Sequence, residues 1–155
     1  MLQGLGSPGA DDERLDDALS HMRSEAEAAG VDFRVTVQGP SRPLHPIVRE
    51  EAYHVGRQAV ESALRQARAS SVEVEIRYSA RGMRLLVRDD GHGAGAIGAS
   101  PAPGPELSTL RARAESIGAR LRVRSGSGSG TEVELSVPAA LAFTAGASGP
   151  IMSEP

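Results

Sequence analysis

The sequence predicts an α+β fold, a two-layer α/β sandwich in which about three helices cover one face of a mixed sheet. Two observations lead to this fold. Segments with helical periodicity are interleaved with segments in which apolar and polar residues alternate, in the order α-β-α-β-β-loop-α-β-β. Every predicted strand is apolar on one face only, so helices are expected on one side of the sheet.

The three predicted helices each have one apolar face. They cover residues 13–29, 47–69 and 107–117, and Gly30 and Gly118 follow the first and the third as C-terminal caps. Apolar residues recur in them at three- or four-residue intervals, which is the period of a buried helical face: Leu15, Leu19, Met22 and Ala26; Val48, Ala52, Val55, Ala59, Ala63 and Ala67; Leu107, Leu110, Ala114 and Ile117.

The five predicted strands follow from strict alternation. The first covers residues 33–37, and two hairpin-linked pairs follow at 72–78 with 83–87 and at 121–123 with 133–137. Because consecutive hairpins pair antiparallel, a largely antiparallel or mixed sheet is expected.

The chain is predicted to hold one domain between flexible ends. Its 155 residues suit a single domain. Residues 1–12 are rich in Gly, Pro and Asp and are interpreted as a linker or flexible N-terminus. Residues 13–138 form the domain, and residues 139–155, rich in Ala, Gly, Ser and Pro, are interpreted as a disordered tail.

Composition excludes several classes of function. The net charge is −3, all 17 basic residues are Arg, and aromatic residues make up 3%, which argues against a nucleic-acid partner. There is no Cys, and the four His show no metal-ligand spacing. No apolar run reaches the roughly 20 residues of a membrane span, so we expect a cytoplasmic domain without membrane contact.

Four motifs in order carry a family resemblance. EEAYHVGRQAVESALRQARAS, LLVRDDGHG, ELSTLRARAESIGAR and SGTEVELSVP resemble the ATP-binding catalytic domain of two-component sensor histidine kinases, from about Leu15 to Pro138. The resemblance implies the Bergerat ATPase fold, ATP and Mg²⁺ as ligands, and histidine kinase activity. It implies two partners, a phospho-acceptor histidine domain and a response regulator. His21 has no partner helix, so we expect that acceptor on a separate domain.

The resemblance assigns the base of the nucleotide to the segment after the third strand. Asp89 matches the carboxylate that accepts a hydrogen bond from the adenine amino group, a role that suits an acceptor-only group. Gly91 and Gly93 match the glycines that let the backbone approach the base. Gly130 and Thr131 match the late Gly-Thr pair, whose hydroxyl supports the adenine contact.

Phosphate binding is assigned to the lid and to two helices. Residues 92–106 match the lid, and the helix that begins at Leu107 would offer free N–H groups and its positive dipole end to phosphate. Arg65 could also face phosphate. Where the family has Gly before this helix, the chain has Glu106, whose charge would repel phosphate; Glu106 is equally well explained as an acid that stabilises the first helical turn.

The long second helix departs from the family at three positions. Gln58 stands at the position of the general base Glu, Ser62 at that of the Mg²⁺-ligand Asn, and Gln66 at that of a His. Gln58 cannot take up a proton, and Ser62 has a shorter reach. Two interpretations remain open, a degenerate site and a merely solvated helix face. Correspondingly, we expect either an ATP-binding kinase domain impaired in Mg-ATP binding or a pseudo-kinase module for protein interactions.

Overall fold

A five-stranded mixed sheet forms one layer of the protein. The structure is a computed structural model that describes residues 14–65, 69–91, 105–126 and 130–143. The spatial order of the strands is β1-β2-β3-β5-β4; β1 pairs parallel with β2, and all other neighbours pair antiparallel. The strands are β1 Asp32–Gln38, β2 Ser71–Ser79, β3 Gly82–Asp89, β4 Arg120–Gly126 and β5 Gly130–Pro138.

Helices pack on one face of this sheet, which confirms the predicted two-layer architecture. Their apolar residues and those of the facing strand positions form one hydrophobic core. Among the described residues, no helix is long and apolar enough to cross a bilayer. The helices are α1 Leu15–Ser20, α2 Arg23–Ala28, α3 Pro46–Arg65, α4 Pro105–Ser116 and α5 Ala139–Ala142.

The single helix predicted for residues 13–29 is two helices. The chain turns at His21 and Met22, between α1 and α2. At this point the Ser20 hydroxyl donates to the carbonyl of Asp16 (2.7 Å), a local bond that competes with the helical ladder and bends helices. All four predicted core positions stay buried across the break: Leu15, Leu19, Met22 and Ala26.

The predicted disordered tail begins too early. Residues 139–142 form a short helix, and Phe143 is 6% exposed. The ring of Phe143 lies 6.4 Å from that of Tyr78, and the guanidinium of Arg42 stacks 3.8 Å from its centroid. These contacts fix a segment whose small residues carry little periodic signal. The rest of the predicted tail and the predicted N-terminal linker 1–12 lie outside the described residues.

The sheet face without helices carries rows of alternating charge. One row crosses all five strands in register, as Arg34, Glu73, Arg88, Glu132 and Arg124. Within this layer the Arg88 guanidinium contacts Glu132 at 2.9 Å. The layer shields acids such as Glu75, which is buried although it lies on the open face.

Candidate functional site

Three strand ends meet at one edge of the sheet. The last residue of β3, Asp89, lies opposite Val72 at the start of β2 and opposite Thr131 at the start of β5. Ser70, directly before β2, lies at the same edge. The residues that the sequence assigned to adenine binding, Asp89, Gly91, Gly130 and Thr131, are therefore brought together, while Gly93 lies outside the described residues.

Asp89 is a half-buried carboxylate held by the backbone. Its Oδ1 accepts the N–H of Gly91 (2.8 Å), and the carboxylate also accepts the backbone N–H of Thr131. Burial raises the pKa of Asp89 above its ordinary value, and the two hydrogen bonds only partly oppose this effect. An ionised carboxylate has about four acceptor sites, so acceptor capacity remains for a ligand.

Gly130 allows β5 to approach Asp89 closely. Its φ is +88°, and a Cβ at this position would collide with the carbonyl oxygen of Asp89. Only glycine combines this conformation with this approach. The motif glycine before Thr131 is thus required by the geometry that sets the threonine N–H against the carboxylate.

The neighbouring Asp90 has a structural role. It accepts the backbone N–H groups of Ser70 (2.8 Å) and Ser71 (2.9 Å) and the hydroxyl of Ser70. These bonds lower the pKa of Asp90 to about 2. The residue ties the end of β3 to the start of β2. This role was not predicted, although an Asp directly after a strand is a common signal for such side chain to backbone bonds.

One of the polar positions of α3, Ser62, does not lie on a solvated face. Ser62 is 2% exposed, and its Oγ has no hydrogen-bond partner among the described residues. The solvated-face interpretation is therefore wrong for Ser62, because packing of α3 on the sheet buries it. Gln58, one turn earlier, is half-buried. Gln66 lies outside the described residues.

The residues that were assigned to phosphate binding lie at the ends of two helices. Arg65 is the last residue of α3; it is exposed, and its Nη2 lies 3.8 Å from Glu61. Helix α4 begins at Pro105, two residues before the predicted Leu107, so Glu106 and Leu107 both lie in its first turn. Most of the predicted lid, including residues 92–104, lies outside the described residues.

Helix α4 is tied to α3 by an ion pair. Arg113 of α4 donates to Glu51 of α3 at 2.9 Å. The neighbouring Arg111 points to the carbonyl of Leu121 at 3.4 Å. Each of these two arginines therefore has a partner within the protein.

The donor set suits a base better than a metal. Asp89 is a partly dehydrated acceptor of the kind that suits an exocyclic amino group, and Gly130 lets the backbone of β5 approach it closely. For a cation, the described residues contain no group of three or more His, Asp or Glu that could hold a metal ion. Ser62 provides a single neutral oxygen, which fits Mg²⁺ only as one ligand among waters and phosphate oxygens.

Comparison with solved structures identifies the fold. The histidine kinase domain of the blue-light-activated kinase EL346 of Erythrobacter litoralis is 22% identical, with a TM-score of 0.61 over 81% of this chain and 65% of that one. The catalytic domain of ThkA matches at 13% identity and TM-score 0.61, over 80% and 90%. Full-length ShkA, in complex with AMPPNP, matches at 16% and TM-score 0.65, over 84% and 30%.

The chain thus covers 65% of the EL346 domain and less than a third of ShkA. No protein-family model matches the sequence, and no curated protein matches it. The identities are low, so these similarities concern the fold. The fold is that of histidine kinase catalytic domains.

Proposed function

We propose that this chain, whose fold is that of histidine kinase catalytic domains, is an ATP-binding phosphoryl-donor domain of a two-component system, impaired in Mg-ATP binding. The observation that carries the proposal is the half-buried Asp89 at the meeting point of three strand ends. Its partners would be a phospho-acceptor histidine domain and a response regulator, and its location cytoplasmic.

Asp89 would recognise the base. Its remaining acceptor sites suit the two-donor amino group of adenine, and the Gly91 and Thr131 N–H groups hold the carboxylate in place before the ligand arrives. Hydrogen bonds to an ionised acceptor in a dehydrated site are stronger than neutral ones. A base that lacks the amino donor would leave the charge unpaired, so the site would favour adenine.

The phosphate side would bind less well. The first turn of α4 offers free backbone N–H groups, and Arg65 stands at the end of α3. Glu106 lies in the same first turn and would repel a phosphate by charge and compete for those N–H groups.

Gln58 and Ser62 would limit two parts of phosphoryl transfer, namely proton uptake and Mg²⁺ binding. When bound, Mg²⁺ would neutralise phosphate charge. Ser62 stands at the metal-ligand position of the resemblance, but its Oγ is buried and would have to become accessible before it could hold the ion. A neutral hydroxyl is a weaker ligand than a carboxylate or carboxamide oxygen for a cation that dehydrates reluctantly. Gln58 cannot accept a proton, so histidine kinase activity would lack a general base at this position.

These two residues also favour a second candidate, a pseudo-kinase module that binds nucleotide weakly or not at all and acts through protein contacts. The two candidates differ in whether the Asp89 site still binds adenine. That difference is measurable without any acceptor domain.

The experiment is an equilibrium titration of the full chain with a fluorescent ATP analogue. Asp89→Asn keeps an acceptor for the Gly91 and Thr131 N–H groups but removes the charge, and we expect at least about tenfold weaker binding. Asp32→Asn, at an exposed strand end, is the matched control and should bind as the wild type does. Equal affinity of the wild type and Asp89→Asn would contradict the assignment, and no binding by any of the three proteins would favour the pseudo-kinase.

A further inference from the structure

A groove of about 680 Å³ lies on the open face of the sheet, at the start of β3. Its walls come from the β2–β3 turn, from the segment between α4 and β4, and from the end of β5. Four of the lining residues are arginines, Arg81, Arg84, Arg120 and Arg122, and the one acidic lining residue is Glu134.

Two acidic residues in or beside the groove, Glu134 and Glu132, form ion pairs with arginines of β3. Glu134 faces Arg122 across the β4–β5 register, yet its Oε2 lies 2.8 Å from Arg84 on the other side. Glu132 likewise faces Arg124 but contacts Arg88 at 2.9 Å. The carboxylates of Glu134 and Glu132 therefore pair with arginines of the central strand β3 and not with the arginines of the edge strand β4.

Among the described residues, three guanidinium groups of the groove have no acidic partner. Arg81, Arg120 and Arg122 are exposed and form no ion pair with any residue of the described ranges. With the paired Arg84 and Glu134, the groove has an excess of three positive charges in a chain whose net charge is −3. This local sign reversal makes the groove attractive to anions.

The spacing of Arg120 and Arg122 along β4 matches the repeat of an extended polypeptide. Arg120 and Arg122 are two residues apart on one strand, so their Cα atoms are about 7 Å apart and both side chains are on the open face. An extended polypeptide with an acidic residue at every second position repeats the same spacing.

Neighbouring apolar surface favours a protein ligand over a nucleic acid. Leu141 is exposed, and its Cδ1 lies over Gly118, which lines the groove. An exposed leucine beside a cationic groove suits a peptide with an apolar residue next to its acids. Single-stranded nucleic acid would use aromatic rings for stacking, and none lines the groove.

We propose that this groove is a docking site for an extended acidic segment of a partner protein, in which alternate Asp or Glu residues pair with Arg120 and Arg122. The site lies away from the nucleotide-binding residues. Gly82 and Asp89 are opposite ends of β3, about 24 Å apart along the strand. Docking would therefore leave the Asp89 edge of the sheet open.

The test is fluorescence anisotropy of the full chain with a labelled peptide that alternates Asp with Ser. The comparison peptide has the same composition with its Asp residues consecutive. We expect the alternating peptide to bind more tightly, and Arg120→Gln with Arg122→Gln to weaken it at least about fivefold. Thermal unfolding of each variant verifies that it is folded.

The matched control is Arg34→Gln with Arg49→Gln, which removes the same charge outside the groove and should leave affinity unchanged. Equal weakening in both double variants would mean general attraction to a charged surface and would overturn the proposal. Equal affinity for the two peptides would overturn the extended geometry. Binding of an oligonucleotide or of inorganic tripolyphosphate, with no binding of either peptide, would overturn the choice of a protein ligand. Nucleotide affinity of the Arg120 and Arg122 variant should equal that of the wild type.

Discussion

Asp89 and Asp90 are neighbours in the chain, and the fold shifts the pKa values of their carboxyl groups in opposite directions. Burial at the end of β3 raises that of Asp89, whereas hydrogen bonds from Ser70 and Ser71 lower that of Asp90 to about 2. One carboxylate is thus kept partly dehydrated with acceptor sites to spare. The carboxylate of Asp90 connects the end of β3 to the start of β2 through hydrogen bonds.

Asp90 should make stability depend on pH in the acid range. Its pKa in the folded protein, about 2, lies below the ordinary 3.8, so its contribution is present above about pH 4 and is lost as pH falls through 2. Because the group is exposed and screened, we expect Asp90→Asn to cost about 1 kcal/mol at pH 7. Denaturant unfolding at several pH values measures this.

The difference between the wild type and Asp90→Asn should shrink to a small remainder at about pH 2, where the Asp90 carboxyl is half protonated in the folded protein, and disappear below that pH. A difference that persists unchanged to pH 2 would mean that the lost stability does not come from the ionised carboxylate. Asp32→Asn is the control, since it removes a carboxylate from an exposed strand end.

Gly130 and Gly30 provide a matched pair of glycines with positive φ. Both adopt the left-handed region, at +88° and +75°, but a Cβ at Gly130 meets the Asp89 backbone whereas one at Gly30 meets nothing within 4 Å. We expect Gly30→Ala to cost about 1 kcal/mol from backbone strain alone. Gly130→Ala should cost at least about twice as much and should weaken nucleotide binding. Similar costs would show that β5 does not approach Asp89 as described.

Much of this architecture follows from sequence periodicity. The predicted strands all form, and the apolar faces of the helices are buried where the structure describes them, because the sheet can pack only on its apolar side. The break after Ser20 was not predictable, because a single serine hydroxyl that bonds to Asp16 leaves the apolar period unchanged. Phe143 was missed for a related reason: one aromatic residue in a segment of small residues has no period.

The candidate site was predictable only in part. Asp89, Gly130 and Thr131 are distant in sequence, and it was the resemblance that joined them; the β3–β5 pairing brings them together. The burial of Ser62 could not be derived from its residue type, since serine is common on exposed helix faces. The excess positive charge of the groove could not be predicted from the sequence either, because it depends on which arginine each glutamate contacts.

Ser62 should be dispensable for stability. Its Oγ is buried without a hydrogen-bond partner, and a buried unsatisfied polar group costs on the order of 1–3 kcal/mol. We expect Ser62→Ala to raise the free energy of unfolding by about 1 kcal/mol, measured by denaturant titration. Ser20→Ala, which removes a bonded hydroxyl, is the contrasting variant and should not stabilise. A loss of stability in Ser62→Ala would mean that this hydroxyl has a partner in the free protein.

Phe143 should contribute to the core although it follows the last strand. Its contacts with Tyr78 and Arg42 predict that Phe143→Ala lowers the free energy of unfolding by about 3 kcal/mol. A chain that ends after Pro138 should unfold at a clearly lower temperature than one that ends after Phe143. Equal stability of the two shortened chains would contradict the packing of this segment.

The most direct test of the central claim is calorimetric titration of the full chain with ATP and with ADP, each with and without Mg²⁺. If Asp89 holds adenine while Gln58 and Ser62 contribute little to a metal site, both nucleotides should bind with similar affinity, and Mg²⁺ should change that affinity little. Absence of binding by either nucleotide would contradict the adenine site. A strong, Mg²⁺-dependent preference for ATP would contradict the impairment that these two residues predict.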